Sequence, residues 1–188
     1  MTNQDNLNIK NNAQAEEFRE FLLSLNPATQ FTFNYFGEIS LETIDSIVEK
    51  ELSRKDKEKF FTFINDKLIA YGFLTTFEKI TKKHNCILGI VVTDSWQKKG
   101  YGKKICQYMI KTAWSKEFQK IWLTVHSDNI FAFKMYRSLG FEIEGIFMND
   151  ERINEKYRHI ISMAIFKDGS FRQKERFNMW KTFENISL

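Results

Sequence analysis

The most informative segment of this chain for its fold is CILGIVVTDSWQKKGYGKKICQYM, from Cys86 to Met109. Its first seven residues are apolar on both faces, as expected of a strand in the middle of a sheet rather than at its edge. A polar loop follows, and Ile105, Met109 and Ala113 then recur at the spacing of one helix face. The stretch therefore predicts a buried strand, a polar loop and a helix, in that order.

The loop before this helix, QKKGYGK at residues 97–103, has the residue types of a phosphate-binding site. Gly100 and Gly102 let the backbone bend tightly without a Cβ in the way. The first turn of a helix leaves amide N–H groups unpaired at its positive end, and a diphosphate can accept several of them. The loop also contains cations that could meet phosphates, whereas Lys104 is interpreted as solvated: these cations are Lys98, Lys99 and Lys103.

Two common phosphate-binding motifs fail at specific residues. A dinucleotide-binding fingerprint needs a third glycine where Ile105 stands. A Walker loop needs glycine and then serine or threonine where Gln97 and Lys104 stand. The remaining pattern is Gln-x-x-Gly-x-Gly.

A second pattern lies downstream, beyond a strand predicted from Lys120 to His126. Asn129 opens a short predicted helix that ends near Leu139, and Tyr136 follows Asn129 by seven residues. A Gly-Phe pair, residues 140–141, comes directly after this helix. Together the two patterns resemble the GNAT superfamily of N-acetyltransferases, whose motif A, (Arg/Gln)-x-x-Gly-x-(Gly/Ala), holds the pyrophosphate of coenzyme A.

The elements outside these motifs also fit that family from about residue 31 to residue 167. A helix is predicted from Asn12 to Leu25, with Asn12 as its N-cap, and a second helix after Ser40. The charged run Arg54 to Lys59 is interpreted as solvated. The remaining predicted strands are Phe60 to Ile64 and Leu68 to Phe77, which form a hairpin, and Phe141 to Phe147 and Tyr157 to Phe166.

The resemblance implies an α/β fold with a mixed, mostly antiparallel central sheet and helices on both faces, the GNAT-like acyl-CoA N-acyltransferase fold. It implies acetyl-CoA as co-substrate. The strand Ile90, Val91 and Val92 is expected to separate from its neighbour and offer backbone groups to the pantetheine arm, with one amide stabilising the oxyanion. Cofactor contacts are expected from the following residues: Gln97, Lys98, Lys99, Gly100, Tyr101, Gly102, Lys103 and Asn129.

Tyr136 is the expected catalytic residue, because the matching tyrosine of the family can donate a proton to the departing thiolate. A general base stays unassigned. Several relatives have a glutamate five positions before the asparagine, but Thr124 stands there. His126, Asp128 and water relaying to a carboxylate such as Glu38 remain alternatives.

The predicted activity is transfer of an acetyl group to a primary amine by direct attack. The acceptor is an amino-sugar nucleotide, another small amine or a protein α-amine. The loop between the last two strands has mixed charge, which predicts that a polycation is a poor substrate, while Arg152 or Arg158 could hold a phosphate. The alternative is a non-catalytic domain that binds or senses acyl-CoA.

The composition restricts the functional classes to which this chain could belong. The chain has 188 residues with 28 Lys and Arg against 24 Asp and Glu, a mild excess that argues against nucleic-acid binding despite a basic, aromatic tail. Cys86 and Cys106 form no CxxC or His/Cys cluster, so they are interpreted as reduced core thiols, and no metal is expected. No signal peptide or membrane span is recognised, which predicts a cytoplasmic location. A monomer or homodimer is expected. One catalytic domain is expected over residues 1–167, with an appendage over residues 168–188.

Overall fold

The computed structural model describes residues 7–33, 36–37, 39–77, 79–153 and 155–169. Five α-helices and seven strands lie within these ranges. The helices are α1 (Ala15–Leu23), α2 (Pro27–Phe33), α3 (Ile44–Ser53), α4 (Tyr101–Ser115) and α5 (Ile130–Ser138). The strands are β1 (Asn8–Lys10), β2 (Lys57–Ile64), β3 (Lys67–Thr76), β4 (Asn85–Val92), β5 (Lys120–His126), β6 (Glu142–Ile153) and β7 (Lys156–Phe166).

The strands form one sheet in the order β1-β2-β3-β4-β5-β7-β6. Every neighbouring pair is antiparallel except β4 and β5, which are parallel and joined through α4. The predicted fold class, a mixed and mostly antiparallel sheet with helices on both faces, is confirmed. β4 occupies the middle of the sheet, as its unbroken apolar run predicts.

Strands β4 and β5 pair only near their beginnings. Residues 85–87 of β4 are in register with residues 120–122 of β5, although β4 continues to Val92 and β5 to His126. Beyond the paired part, the two strands have no ladder contact in the described chain. An opening therefore lies between their carboxyl ends, as the family resemblance predicts.

Helices cover the sheet on both faces, each over its own apolar core. On one face α1 and α3 pack Phe18, Leu22 and Ile44 against the aromatic rings of β2 and β3. On the other face α4 packs Ile105 and Met109, both fully buried, against β3, β4 and β5. Full burial of such a side chain stabilises the fold by about 1.5–3 kcal/mol. These two layers hold the carboxyl end of β4 in place.

The hairpin between β2 and β3 is confirmed, but its charged flank differs from the prediction. Asn65 and Asp66 both have positive φ, 48° and 57°, as a two-residue hairpin turn requires. The run Arg54 to Lys59 is not wholly solvated: Lys57 is only 9% exposed, and Lys59 Nζ donates to three carbonyls at the end of α3. The interpretation of this run as a solvated segment is therefore wrong at Lys57.

Lys57 is buried because a carboxylate from α3 is buried with it. Lys57 Nζ lies 2.9 Å from Glu51 Oε1, and the Tyr71 hydroxyl donates to the same oxygen. Burial raises the pKa of Glu51 and lowers the pKa of Lys57 to about 8. It also raises the pKa of Tyr71, so that the hydroxyl stays protonated and remains a donor. Each charge in this cluster is tolerated in the core only because its partner is present.

Three further details correct the sequence prediction. Helix α1 begins at Ala15 and is capped by Gln14 and Glu17, not by Asn12, because Glu17 accepts from the Gln14 amide. Pro27 opens α2, a helix that the sequence prediction missed, since proline is well suited to a first helical position. Strand β6 extends beyond Phe147 to residue 153.

Among the described helices, none is long and apolar enough to cross a membrane. The predicted appendage at residues 168–188 lies outside the described residues from residue 170 onward. Cys86 and Cys106 are buried free thiols, as predicted.

Candidate active site

The beginning of α4 presents a concave row of backbone donors. Lys98 has φ of 57° and Gly100 has φ of 87°, so two nearby residues take the left-handed conformation that turns successive amides toward one side. A side chain at Gly100 would meet nothing within 4 Å, so glycine is favoured there by conformation and not by crowding. The following residues of this row have amide N–H groups without an acceptor in the described part of the chain: Lys98, Lys99, Gly100, Gly102 and Lys103.

Gly102 lies where three elements approach one another closely. A Cβ at this position would lie 3.3 Å from Met135 Sδ on α5 and 3.8 Å from Val92 Cγ2 at the end of β4. The beginning of α4 therefore lies directly beside the opening between β4 and β5.

Gln97 stabilises this arrangement through its side chain. Its Nε2 donates to the Val92 carbonyl at 2.9 Å and to the Thr29 hydroxyl at 3.2 Å. Asp94 accepts from the Asn26 side chain and from the Thr29 hydroxyl, both at 2.6 Å, which ties α2 to the same loop. Sequence reasoning missed Asp94 and α2, since a lone aspartate in a polar loop has no distinguishing pattern.

The predicted cations surround the row of amides, and two of them lie over aromatic rings. Lys98 Nζ lies 4.6 Å from the ring centroid of Phe131 on α5, and Lys99 Nζ lies 5.1 Å from that of Trp96. Lys103 is exposed on the first turn of α4. The Tyr101 ring is largely buried against Trp96, with ring centroids 5.4 Å apart.

The end of β4 contributes backbone rather than side chains. Val91 is 4% exposed and packs in the core beneath α1 and α3, while Ile90 and Val92 pack toward α4. The edge of β4 that faces β5 has no ladder partner beyond residue 87 among the described residues. Its backbone groups line the opening.

Two predicted residues belong to α5 and its N-cap. Asn129 caps this helix, since its Oδ1 accepts from the Ala132 amide at 3.1 Å. Tyr136 is 7% exposed, and its ring packs edge-on against Phe141 with centroids 5.6 Å apart. Burial and the neighbouring Cys106 thiol raise the pKa of Tyr136, so its hydroxyl keeps its proton and can serve as a donor.

The opposite side of β5 carries polar side chains. Thr124 is exposed, whereas His126 is buried with its Nε2 atom 3.1 Å from Glu151 Oε2 on β6. Asp128 Oδ2 lies 2.8 Å from a guanidinium nitrogen of Arg158. Glu38, an alternative proton acceptor, lies outside the described residues. In the described part of the chain, no three His, Cys, Asp or Glu side chains are arranged to hold a metal ion.

The sequence matches the profile of the acetyltransferase (GNAT) family over residues 20–141. This chain belongs to the GNAT acetyltransferase family. The match covers the glycine-containing loop, β4, β5 and α5, so the predicted family is confirmed at the elements that predicted it.

Among GNAT proteins, the spermidine N(1)-acetyltransferase of Escherichia coli K12 is 32% identical over 79 residues, 42% of each chain. The L-amino acid N-acetyltransferase of the same organism is 27% identical over 99 residues, 52% of this chain and 60% of that protein. This GNAT chain thus matches less than two thirds of the length of either relative. Both relatives are named as N-acetyltransferases, the enzyme class predicted from the sequence.

A solved structure extends the similarity to most of the chain. The spermidine N-acetyltransferase of Vibrio cholerae, in complex with CoA and spermine, is 18% identical and covers 88% of this chain and 98% of its own, with a TM-score of 0.74. At that identity the likeness shows the shared fold.

Proposed function

We propose that this protein is an acetyl-CoA-dependent N-acetyltransferase in which a primary amine attacks the thioester directly. The observation that carries the proposal is the opening between β4 and β5, bordered by the unpaired amides at the beginning of α4. A site of this shape holds an anionic chain at one end and exposes a thioester in the middle of the sheet.

Coenzyme A fits the residues that border the opening. The amides of residues 98–100, 102 and 103 would accept the pyrophosphate, assisted by Lys98, Lys99 and Lys103. The pantetheine arm would bind along the free backbone edge of Ile90 to Val92. Gln97 would act by holding the loop against β4, and Asn129 by orienting α5.

The proposed transfer needs few groups. The amine nitrogen forms a bond to the acetyl carbonyl carbon, and an amide of Ile90 or Val91 stabilises the oxyanion that develops. The carbon–sulfur bond then breaks, and the Tyr136 hydroxyl gives its proton to the thiolate. Holding amine and thioester together supplies a further part of the rate enhancement.

A small primary amine is the proposed acceptor. Arg152 is already paired with Glu155, and Arg158 with Asp128, so binding a phosphate would break an existing ion pair. This pairing argues against an amino-sugar nucleotide relative to an unphosphorylated amine. Relatives named for spermidine and for amino acids support an acceptor of small size.

Calorimetric titration with acetyl-CoA and a thiol-release assay test this proposal. The assay would include monoamines, amino acids, an amino-sugar nucleotide, a peptide α-amine and spermidine. Thiol release with at least one amine is expected, whereas tight binding without release for any amine would support the non-catalytic sensing alternative. The mixed charge around Arg152 predicts a lower kcat/KM for spermidine than for the best monoamine, and the reverse order would contradict that part of the proposal.

Tyr136→Phe is expected to lower kcat by about 10²-fold, because it removes the proton donor and keeps the packing against Phe141. The affinity for acetyl-CoA should stay unchanged, since the ring remains. The measurement is steady-state kinetics on the best amine with a calorimetric Kd. Tyr108→Phe, on an exposed tyrosine of α4, is the matched control and should retain full activity. A Tyr136→Phe enzyme within twofold of wild type would show that Tyr136 serves only the core.

Arg152→Ala and Arg158→Ala are expected to leave KM for an unphosphorylated amine within about twofold, because surface pairs of this kind contribute little. The same variants are to be assayed on an amino-sugar nucleotide, with Lys111→Ala on the exposed face of α4 as a control. A KM rise confined to the phosphorylated acceptor would reverse the preference stated here and assign that acceptor to the arginines.

A further inference from the structure

His126, the last residue of β5, has a buried nitrogen that no described group satisfies. The side chain is 6% exposed, and its Nδ1 atom is buried without a hydrogen-bond partner among the described residues. Buried polar groups are almost always paired in folded proteins, so an exception calls for a specific explanation, such as a catalytic role.

Along the strand direction, His126 lies level with the proposed thioester site. The parallel register pairs Ile87 with Trp122, and four further residues along each strand bring Val91 level with His126 across the opening. Side chains alternate along β5, and Leu123 and Val125 pack toward α4. His126 therefore faces the other side of the sheet, the side on which Val91 also packs.

Glu151 approaches His126 from the side away from the opening. The sheet order is β4, β5, β7, β6, and Glu151 lies on β6, two strands beyond His126. Its Oε2 lies 3.1 Å from Nε2 of His126, an ion-pair contact without hydrogen-bond geometry, since that oxygen has no hydrogen-bond partner among the described residues. A carboxylate at this distance stabilises the imidazolium that forms when the ring takes up a proton.

The other charged groups nearby are already engaged. Arg158, level with Glu151 on β7, forms an ion pair with Asp128 of the turn after β5. His159 faces the opposite side from Arg158, and its Nδ1 accepts from the Asn149 amide at 2.9 Å. Among the described side chains, Glu151 is thus the carboxylate in contact with the His126 ring.

We propose that His126 takes a proton from the acceptor amine, directly or through one water, and that Glu151 is a positioning residue for His126. The inference rests on the proposed N-acetyltransferase function. It assigns to His126 the task that a glutamate at position 124 performs in several relatives, and so accounts for a threonine there.

The proton balance closes with the residues already named. The acceptor ammonium loses one proton to Nδ1 of His126, and the neutral amine forms the carbon–nitrogen bond as the carbon–sulfur bond breaks. Tyr136 protonates the thiolate and is reprotonated by the second proton that leaves the nitrogen. The imidazolium then returns its proton to water.

The test compares His126→Gln, Glu151→Gln and the control His84→Gln, an exposed histidine in the turn before β4. Steady-state rates with the best amine would be measured from pH 5.5 to pH 9, with calorimetric Kd values for acetyl-CoA. In His126→Gln, kcat/KM for the amine should fall by about 10²-fold, and the acid limb of its pH profile should disappear. Glu151→Gln should lower kcat by about tenfold without changing KM for acetyl-CoA, and His84→Gln should match wild type.

The outcomes separate this inference from the proposed function. If wild type acetylates an amine and His126→Gln keeps both its rate within twofold and its acid limb, His126 is not the base, while the enzyme assignment stands. If His126→Gln does not fold, the Glu151→Gln variant provides the test, since Glu151 is partly exposed. A wild-type kcat in that variant would overturn the roles proposed for His126 and Glu151. If wild type acetylates no amine while binding acetyl-CoA, both the function and the base are overturned.

Discussion

Gly100→Glu is expected to abolish measurable binding of acetyl-CoA, a loss of at least about 100-fold in affinity. The substitution adds a carboxylate to the row of amides proposed to hold the pyrophosphate, and like charges in contact cost several kcal/mol. Glutamate would also be strained at the φ of 87° that Gly100 adopts. Calorimetric titration with acetyl-CoA measures the effect.

The matched control is Gly169→Glu. Gly169 also has a positive φ, 66°, with no atom within 4 Å of the added Cβ, so it reproduces the backbone strain outside the loop before α4. Gly100→Ala separates strain from charge and should bind more tightly than Gly100→Glu. A folded Gly100→Glu protein with wild-type affinity would refute the assignment of the pyrophosphate to this loop.

Glu51→Leu is expected to lower the free energy of unfolding by about 3–5 kcal/mol, because it leaves the buried ammonium of Lys57 without its counter-charge. The Tyr71 hydroxyl loses its acceptor in the same variant. Urea unfolding followed by circular dichroism at pH 7 gives the value.

Two companion variants identify the cause. Glu58→Gln breaks the surface pair with Lys116 and should cost less than about 1 kcal/mol. The double variant Glu51→Leu with Lys57→Met removes both charges and should recover most of the loss. A loss in Glu51→Leu no larger than that in Glu58→Gln would show that the buried pair contributes no more than a surface pair.

Much of the fold could be predicted because its central elements are encoded locally. The apolar run of β4 requires burial on both faces, and the spacing of Ile105, Met109 and Ala113 requires a helix. Gly100 and Gly102 mark the beginning of that helix, and the structure finds a positive φ at one and a close approach at the other. Asn129 and Gly140 bound α5 as predicted.

The errors occurred where distant partners decide the outcome. The charged run around Lys57 predicts a solvated side chain. Its burial is tolerated only because α3 and β3 bring Glu51 and Tyr71 together beside it. Gln97 remains a predicted cofactor contact, and the structure adds a contact that the sequence did not reveal: its side-chain amide donates to the Val92 carbonyl at the end of β4 and to the Thr29 hydroxyl of α2.

The family, the order of elements and the residues around the glycine-containing loop could be predicted because they depend on patterns that are local in the chain. Where β4 and β5 separate, and which side chains face the opening, depends on contacts between residues that are far apart in the sequence. His126 and Glu151 are 25 positions apart and on strands that are not neighbours. Their 3.1 Å contact exists only because β7 inserts between β5 and β6 and brings both side chains to one face of the sheet.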